Sequence, residues 1–159
     1  IKGKGLWKTD NKGSSWEKHQ KSLKTFKDAY LSCVSIDKSN ENIIYVGAGR
    51  MNYLGKILFS EAKPHGTYTD GNSQGMIWKS LNMGKTWDLI NNGLHNKAEV
   101  ENIIIDPINN DVVYVSTNYG FYKSTNGGKS WHLKNKGLDT DVIRSFKMHY
   151  NKRAGVKTF

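Results

Sequence analysis

The amino-acid sequence predicts an all-β protein built from repeated units of four short antiparallel strands. Three observations lead to this prediction. A motif of eight positions occurs three times, aromatic or apolar residues flank each copy as they do in β-strands, and the last two copies lie about 44 residues apart. The 5 tryptophans and 8 tyrosines of the chain suit an aromatic-rich β protein.

The motif has the form S/T-x-N-x-G-x-S/T-W, and we name each copy a box. Gly accepts positive φ without steric cost, Asn tolerates it, and hydroxyl groups bond to the backbone within turns. Each box is therefore predicted to be a structured turn between two strands, and its Trp is predicted to begin the second strand and to be largely buried. The shared positions are Thr9, Asn11, Gly13, Ser15 and Trp16 in box 1; Ser80, Asn82, Gly84, Thr86 and Trp87 in box 2; and Ser124, Asn126, Gly128, Ser130 and Trp131 in box 3.

Strand-like segments recur in the same order around the boxes. Residues 5–20 are predicted to be strand, box and strand. The next two units each contain four strand segments, at 31–37, 43–47, 77–80 and 87–90, and at 100–106, 112–116, 121–124 and 131–133; a further unit begins at 142–149. Asp37 and Asp106 end the first strand of their units, so we interpret them as turn residues rather than as acids or ligands.

A unit of about 44 residues with four strands is typical of one blade of a β-propeller. The sequence thus predicts a partial β-propeller of about three four-stranded antiparallel blades: 1–20 is the outer half of a blade, 30–91 a blade with an inserted loop at 50–74, 99–135 a blade, and 141–159 the start of another. A propeller closes with about 4–8 blades. We expect these residues to be a fragment of a six- to eight-bladed ring, to self-associate when alone, and to have the remaining blades as partners.

The boxes resemble the Asp-box, or BNR repeat, whose form is S-x-D-x-G-x-T-W. Asn stands in the place of the Asp at positions 11, 82 and 126. Asn keeps the carbonyl oxygen that accepts turn hydrogen bonds but loses the charge, so the turn is expected to survive without any metal role. The resemblance implies a structural box on the face opposite the active site. The family includes sialidases, xyloglucanase-like hydrolases, sortilin-type receptors and photosystem assembly factors. Because one fold serves these different functions, the function must be inferred from the residues of the site.

The middle unit carries about 27 extra residues, which the repeat alignment places at 50–74 between its second and third strands. Loops longer than ~12–15 residues are usually functional or disordered. We expect this insertion, the equivalent Tyr119 turn and the connections around 24–30 and 95–99 to share one face that contacts any ligand. The ligand-binding candidates are Arg50, Tyr53, His65, Tyr68, Asp70 and Tyr119. The alternative is a lid anchored by the apolar run at 57–59.

The sequence gives little support to catalysis. The sialidase resemblance would require an arginine set and an Arg-Ile-Pro tripeptide that are missing here. Xyloglucanase-like enzymes place an acid just after the second strand of a blade, where this chain has Asn118, which cannot protonate a leaving group. The five histidines show no metal spacing, so no metal and no cofactor are predicted. We therefore predict a non-catalytic binding or scaffold module for a glycan, peptide or protein; the alternative is a glycoside hydrolase whose acids lie partly outside these residues.

The net charge of +10 comes from 24 Lys and Arg against 14 Asp and Glu. Many lysines occupy equivalent positions in successive units, which is typical of solvated faces, so nucleic-acid binding is not expected and acidic glycans are better partners. The sequence contains no run of ~20 apolar residues, so no membrane span is predicted. The single Cys33 excludes an internal disulfide. We expect an extracellular or periplasmic location.

Overall fold

The computed structural model describes residues 5–19, 25–26, 29, 31–49 and 75–159. Twelve strands lie in these parts of the chain. Hairpin 1 pairs β1 (Trp7–Lys8) with β2 (Glu17–Lys18). Sheet 2 contains β3 (Leu31–Ile36), β4 (Ile44–Ala48), β5 (Met76–Ser80) and β6 (Asp88–Leu89). Sheet 3 contains β7 (Val100–Ile105), β8 (Val113–Thr117), β9 (Gly120–Ser124) and β10 (His132–Leu133). Hairpin 4 pairs β11 (His149–Asn151) with β12 (Val156–Thr158).

Sheets 2 and 3 are structural copies of each other. Both are antiparallel meanders in which sequence neighbours pair, and the first pair of strands in each is interrupted by an irregularity near its start, between Leu31 and Cys33 and between Val100 and Asn102. The predicted all-β fold of four-stranded antiparallel sheets is confirmed.

Each box is held by five hydrogen bonds that involve its Asn or its first hydroxyl residue: the Asn N–H donates to that hydroxyl (3.2–3.4 Å), and the other four bonds are 3.0 Å or shorter. In box 3, the Asn126 Oδ1 accepts from the Ser124 hydroxyl (2.9 Å) and from the Ser130 backbone N–H (3.0 Å), and Asn126 Nδ2 donates to Ser130 Oγ (2.9 Å). Ser124 Oγ also accepts from the Gly128 N–H (2.9 Å). Boxes 1 and 2 make the same four bonds at 2.7–3.0 Å. The repeated sequence therefore specifies a repeated turn.

Two consecutive residues of each box have positive φ. The box glycine is the second of them, with φ of 79° to 91° in the three copies. The first is Lys12 (56°), Met83 (56°) or Gly127 (66°). A side chain in this conformation costs roughly 1–2 kcal/mol, so the Asn-centred hydrogen bonds must hold Lys12 and Met83 against that strain.

The main core lies between sheets 2 and 3. It contains Tyr45, Ile77, Val100, Ile103, Val113, Val115, Tyr122 and Trp131. A second cluster on the opposite face of sheet 2 contains Phe26, Ala29, Val46, Ala48 and Trp78. Because neighbouring residues of β4 and β5 point to opposite faces, Tyr45 and Ile77 enter the first cluster while Val46 and Trp78 enter the second.

The box tryptophans differ in burial because they differ in what each ring packs against. Trp131 is 2% exposed, and its Nε1 donates to the Ile90 carbonyl of sheet 2 (2.7 Å). Trp87 is partly buried against Phe26, with ring centroids 5.1 Å apart. Trp16 is 59% exposed, so its predicted burial is wrong. The described residues contain no sheet N-terminal to hairpin 1, so they offer Trp16 no equivalent of the surface that sheet 2 offers Trp131.

Two strand predictions also need correction. The box Trp lies just before the fourth strand of its sheet, since β6 and β10 begin one residue later. The predicted strand at 142–149 contributes only His149 to a strand. Residues 142–148 instead lie along sheet 3, where the Ile143 N–H donates to the Thr117 carbonyl (3.0 Å) and Asn102 Nδ2 donates to the Phe146 carbonyl (3.0 Å). Isolated bonds of this kind do not form a ladder, which explains the missing strand.

We expect Trp131→Ala to lower the free energy of unfolding by about 3–5 kcal/mol, because it empties a buried aromatic site. Trp16→Ala should lower the free energy of unfolding by about 0.5 kcal/mol or less, because the removal of an exposed ring creates no buried cavity. Urea unfolding at low protein concentration, followed by circular dichroism, measures both. Equal losses for the two variants would show that the docking of the box Trp is misinterpreted.

Asn126→Asp should cost less than about 1 kcal/mol, because the Ser130 hydroxyl can rotate and donate to the new carboxylate. Asn126→Leu should cost about 1–3 kcal/mol, because it leaves the Ser124 hydroxyl and the Ser130 N–H without their acceptor. The same unfolding measurement compares them. If the Asp variant is as unstable as the Leu variant, the amide group itself, rather than its acceptor oxygen, holds the turn.

Candidate functional site

One edge of sheets 2 and 3 gathers the loops that connect second to third strands and one sheet to the next; we name it the mouth face. The turn at 118–119 joins β8 to β9, and the connection at 90–99 joins β6 to β7. The two meet directly, since the Asn118 N–H donates to the Glu99 carbonyl (3.3 Å). The boxes lie at the opposite edge, the box face, where the Gly127 N–H donates to the Asp111 carbonyl of the β7–β8 turn (2.8 Å).

Tyr119 forms an aromatic pair with His95 on the mouth face. Their rings are stacked, with centroids 4.0 Å apart and planes inclined by 13°. Buried Thr117 shapes the turn, because its hydroxyl accepts from the Tyr119 N–H (2.9 Å) and donates to the Gly120 carbonyl (2.9 Å). The Lys97 N–H donates to His95 Nδ1 (3.2 Å), which orients the imidazole. The result is a half-exposed aromatic platform on fixed backbone.

Asn118 holds the mouth face together. Its Oδ1 accepts a 2.6 Å hydrogen bond from the Glu99 backbone N–H. Together with the bond from its own N–H, this side chain ties the β8–β9 turn to the connection before β7. The geometry gives Asn118 a positioning role, and an amide has no acidic proton to transfer.

A second amide arrangement on this face was not predicted from the sequence. Asn135 Oδ1 accepts from the Phe121 N–H (2.8 Å), and its Nδ2 donates to Asp141 Oδ1 (2.7 Å). Asn91 does the same in sheet 2, where it accepts from the Ile77 N–H (2.8 Å) and donates to the Gly75 carbonyl (2.9 Å). The sequence could have indicated these two residues, because each Asn follows the Trp of its box by four positions.

The insertion leaves and rejoins sheet 2 on the mouth face. A Cβ atom on Gly75 would lie 1.6 Å from the Ala98 carbonyl oxygen, and one on Gly49 would lie 2.4 Å from Glu99 Cα. Gly49 and Gly75, the residues that flank the insertion, therefore both lie against the 95–99 connection. The predicted candidates Arg50, Tyr53, His65, Tyr68 and Asp70 lie outside the described residues, as does most of the 24–30 connection. Of the ligand-binding candidates, only Tyr119 is placed.

The box face has its own cavity, of about 450 Å³, between the ends of β3 and β7. Asp37 and Asp106 line it and are 3% and 2% exposed. Asp37 Oδ1 accepts from the Ser39 N–H (2.8 Å) and hydroxyl (2.6 Å), and Asp106 Oδ1 accepts from the Ile108 (2.9 Å) and Asn109 (3.2 Å) N–H groups. Both carboxylates close turns, as predicted.

Asp106 also forms an ion pair with Lys157 of hairpin 4. Burial favours the neutral acid, but the hydrogen bonds from Lys157 and from the Ile108 and Asn109 N–H groups outweigh it and lower the pKa of Asp106. The pKa of Asp37 is lowered in the same way, against burial, chiefly by Ser39. Neither group has the raised pKa that a general acid needs.

No group of three or more His, Cys, Asp or Glu side chains in the described part of the chain is arranged to hold a metal ion. No helix in the same part is long and apolar enough to cross a membrane.

No protein-family model matches this sequence, and no curated protein matches it. Solved structures do match. The chain is similar to an ancestral GH74 enzyme, with 23% identity and a TM-score of 0.57 over 83% of this chain and 16% of that one. It is similar to a GH74 enzyme of Niastella koreensis, with 23% identity and a TM-score of 0.55 over 88% and 20%.

The chain thus spans a fifth or less of the length of these two structures. At this identity the likeness shows the fold alone. Together with the two equivalent four-stranded sheets, it shows that the fold is that of partial propeller blades.

We expect the free energy of unfolding to fall as the pH is lowered below the ordinary carboxyl pKa of about 3.9, and Asp106→Asn to reduce that fall. A lowered folded-state pKa stabilises the fold fully above the unfolded-state value, and this contribution is lost as the pH falls through the folded-state pKa. Urea unfolding at pH 7 and pH 3 measures the difference. Asp10→Asn removes an exposed carboxylate and is the control; an unchanged acid slope in Asp106→Asn contradicts the assignment.

Proposed function

We propose that this chain is part of a β-propeller that binds a glycan, peptide or protein partner through the mouth face and catalyses no reaction. One observation carries the proposal: Tyr119 of the β8–β9 turn stacks on His95 of the 95–99 connection, and the residues that flank the insertion, Gly49 and Gly75, lie against the same connection. An aromatic platform held by a rigid sheet beside a long loop is the arrangement in which scaffolds place recognition groups.

The groups around the platform suit a polar ligand. Tyr119 offers an apolar face with a polar tip, and aromatic area beside a few placed hydrogen-bonding groups is typical of binding sites. Lys97 lies in the same connection, and the chain carries a net charge of +10. We therefore favour an acidic glycan over a neutral one.

A glycoside hydrolase is the second candidate. The two similar structures are both described as GH74 enzymes, and two carboxylate residues, half-buried Glu99 and exposed Asp141, belong to the connections of the mouth face. Glycoside hydrolysis needs a pair of carboxyl groups across the scissile bond. Asn118 at the position expected for an acid argues against this reading, since its amide is used to hold the backbone.

We also propose that the boxes are Asp-box repeats in which Asn takes the place of Asp. The hydrogen bonds to the Asn side-chain oxygen support this, because Asp carries the same acceptor oxygen. The remaining blades of a ring would be the first partners of the chain. An extracellular or periplasmic location suits a glycan-binding propeller.

Glycan-array binding of the full chain tests the proposal. We expect Tyr119→Ala and His95→Ala each to weaken binding at least tenfold, because either change removes half of the platform. His132→Ala is the matched control, since His132 is exposed on β10 and should leave binding unchanged. Deletion of residues 53–71 with a Gly-Ser closure should also weaken binding.

If both platform variants and the deletion variant keep the fold and bind as before, the mouth face is not the binding surface. Hydrolysis of a β-glucan that disappears in Asp70→Asn, Glu99→Gln or Asp141→Asn would establish the hydrolase instead.

A further inference from the structure

The cavity of the box face contains a buried carboxylate oxygen that makes no hydrogen bond. Asp37 lines this cavity, which we name the box-face cavity, and is 3% exposed. Its Oδ1 closes the turn by accepting from Ser39. Its Oδ2 is also buried, and no group of the described residues makes a hydrogen bond to it. Because a buried polar atom without a partner is costly, Asp37 Oδ2 points to a ligand that supplies a donor.

Asp37 carries a negative charge at neutral pH. Burial favours the neutral acid, but the hydrogen bonds from Ser39 and the nearby Asn110 side chain lower the pKa of Asp37. Asn110 is exposed and also lines the cavity, so rotation of its side chain gives a ligand access to Oδ2. A cation complements a buried charged oxygen better than a neutral donor does, because charge-assisted hydrogen bonds are roughly twice as strong.

Asp106 shows which kind of cation this arrangement accepts. It is the equivalent of Asp37 in sheet 3, it lines the same cavity, and its Oδ1 likewise closes a turn. Its Oδ2 accepts from the ammonium group of Lys157 in hairpin 4. The same carboxylate in the next sheet therefore divides its two oxygens between a turn and a primary ammonium group.

The residue equivalent to Lys157 at the joint of sheets 2 and 3 is apolar. Lys157 pairs with Tyr150 of β11, as Val113 pairs with Ile105 of β7. Val113 is fully buried in the core between sheets 2 and 3 and has no side-chain donor. Sheet 3 therefore does not give Asp37 the ammonium group that hairpin 4 gives Asp106.

The lysines placed near Asp37 do not bind its free oxygen either. Lys79 and Asp37 attract each other, but Lys79 Nζ donates to the Gly127 carbonyl instead (2.8 Å). Lys38 follows Asp37 in the chain and is exposed. Neither lysine makes a hydrogen bond to Asp37 Oδ2. Among the described residues, the charge of this oxygen is thus left for a ligand to complement.

The walls of the box-face cavity suit an aliphatic chain. The cavity has a volume of about 450 Å³, and its apolar lining includes Ile36, the isoleucines at 103–105 and Met148. A lysine side chain matches this arrangement, because it carries a charged end on an apolar stem. A calcium ion would need six to eight oxygen ligands, and the described residues bring no three His, Cys, Asp or Glu side chains together.

We propose that the box-face cavity is a second binding site, which takes an aliphatic primary ammonium group such as that of a lysine side chain. The ammonium group binds Asp37 Oδ2, and the carbon chain lies against Ile36 and Met148. Because the chain carries a net charge of +10, its surface as a whole does not attract cations, and binding depends on the local carboxylate. The site lies at the edge opposite the mouth face and does not depend on the ligand bound there.

Calorimetric titration of the full chain with Nα-acetyl-lysine methylamide tests the proposal. We expect binding that is weakened about tenfold or more when the ligand is also acetylated at Nε, because acetylation removes the charge. Asp37→Asn should weaken binding of the lysine derivative by a similar factor, while the amide oxygen still closes the turn with Ser39. Asp10→Asn removes an exposed carboxylate in box 1 and is the control that should bind as before.

A second pair of variants tests the cavity without changing Asp37. Ile36 and Val34 lie on the same face of β3 and are 52% and 56% exposed, but only Ile36 lines the cavity. Ile36→Lys should block the ligand, because the new side chain brings its own ammonium group beside Asp37. Val34→Lys adds the same charge outside the cavity and should leave the affinity unchanged. This pair decides the question if Asp37→Asn does not fold.

The source of the ammonium group is tested with n-pentylamine. If n-pentylamine binds as tightly as the lysine derivative, the site takes a free amine; if it binds more weakly, the site takes a lysine of a protein segment. Both results support the proposal. A folded chain that binds neither compound at ~10 mM would overturn it, as would equal binding of the Nε-acetylated ligand, full affinity in folded Asp37→Asn, or equal effects of the two lysine variants.

Discussion

The hydrogen bonds of the box asparagine are the constraint on which the rest of the structure depends. The outermost strands of the three boxes contain only two residues each, so strand pairing alone contributes little to holding them. The Asn side chain bonds to the hydroxyl residues at both ends of the turn, and two residues between them have positive φ. The hydrogen-bonded turn, rather than the pairing of the short outermost strand, therefore sets the direction of that strand and of the Trp that precedes it.

Fixing the turn also determines how sheets join. The positive-φ residue aims its carbonyl away from its own sheet, where Tyr45 and Lys79 can donate to it. Trp131 then fills the space beside the same contact and becomes part of the core between sheets 2 and 3. In box 3, local turn chemistry and packing between sheets are therefore two consequences of one motif.

Because the box turns join the sheets at the box face, the loops of the mouth face can differ in length and sequence from one sheet to the next. The box face consists of equivalent turns with equivalent bonds, whereas the second-to-third-strand loops range from the two-residue turn at 118–119 to the insertion at 50–74. Asn118, Asn91 and Asn135 tie the connections of this face to one another and to the sheets through hydrogen bonds to backbone N–H groups. A scaffold of this kind can change its ligand by changing loops while its core is retained.

The sequence by itself determined the strands, their order and the box turns, because these follow from bonds between residues at most a few positions apart. The strands of sheets 2 and 3 lie within about one residue of their predicted bounds. It also indicated Tyr119 and the 95–99 connection as one face. The tertiary structure decided the rest. Trp131 is buried and Trp16 is exposed although their boxes share one sequence pattern, because Trp131 contacts sheet 2 and no described sheet lies against Trp16. The stack of Tyr119 on His95 exists only because two loops 24 positions apart meet at one edge. Such contacts depend on the neighbour that the fold supplies, which no local pattern specifies.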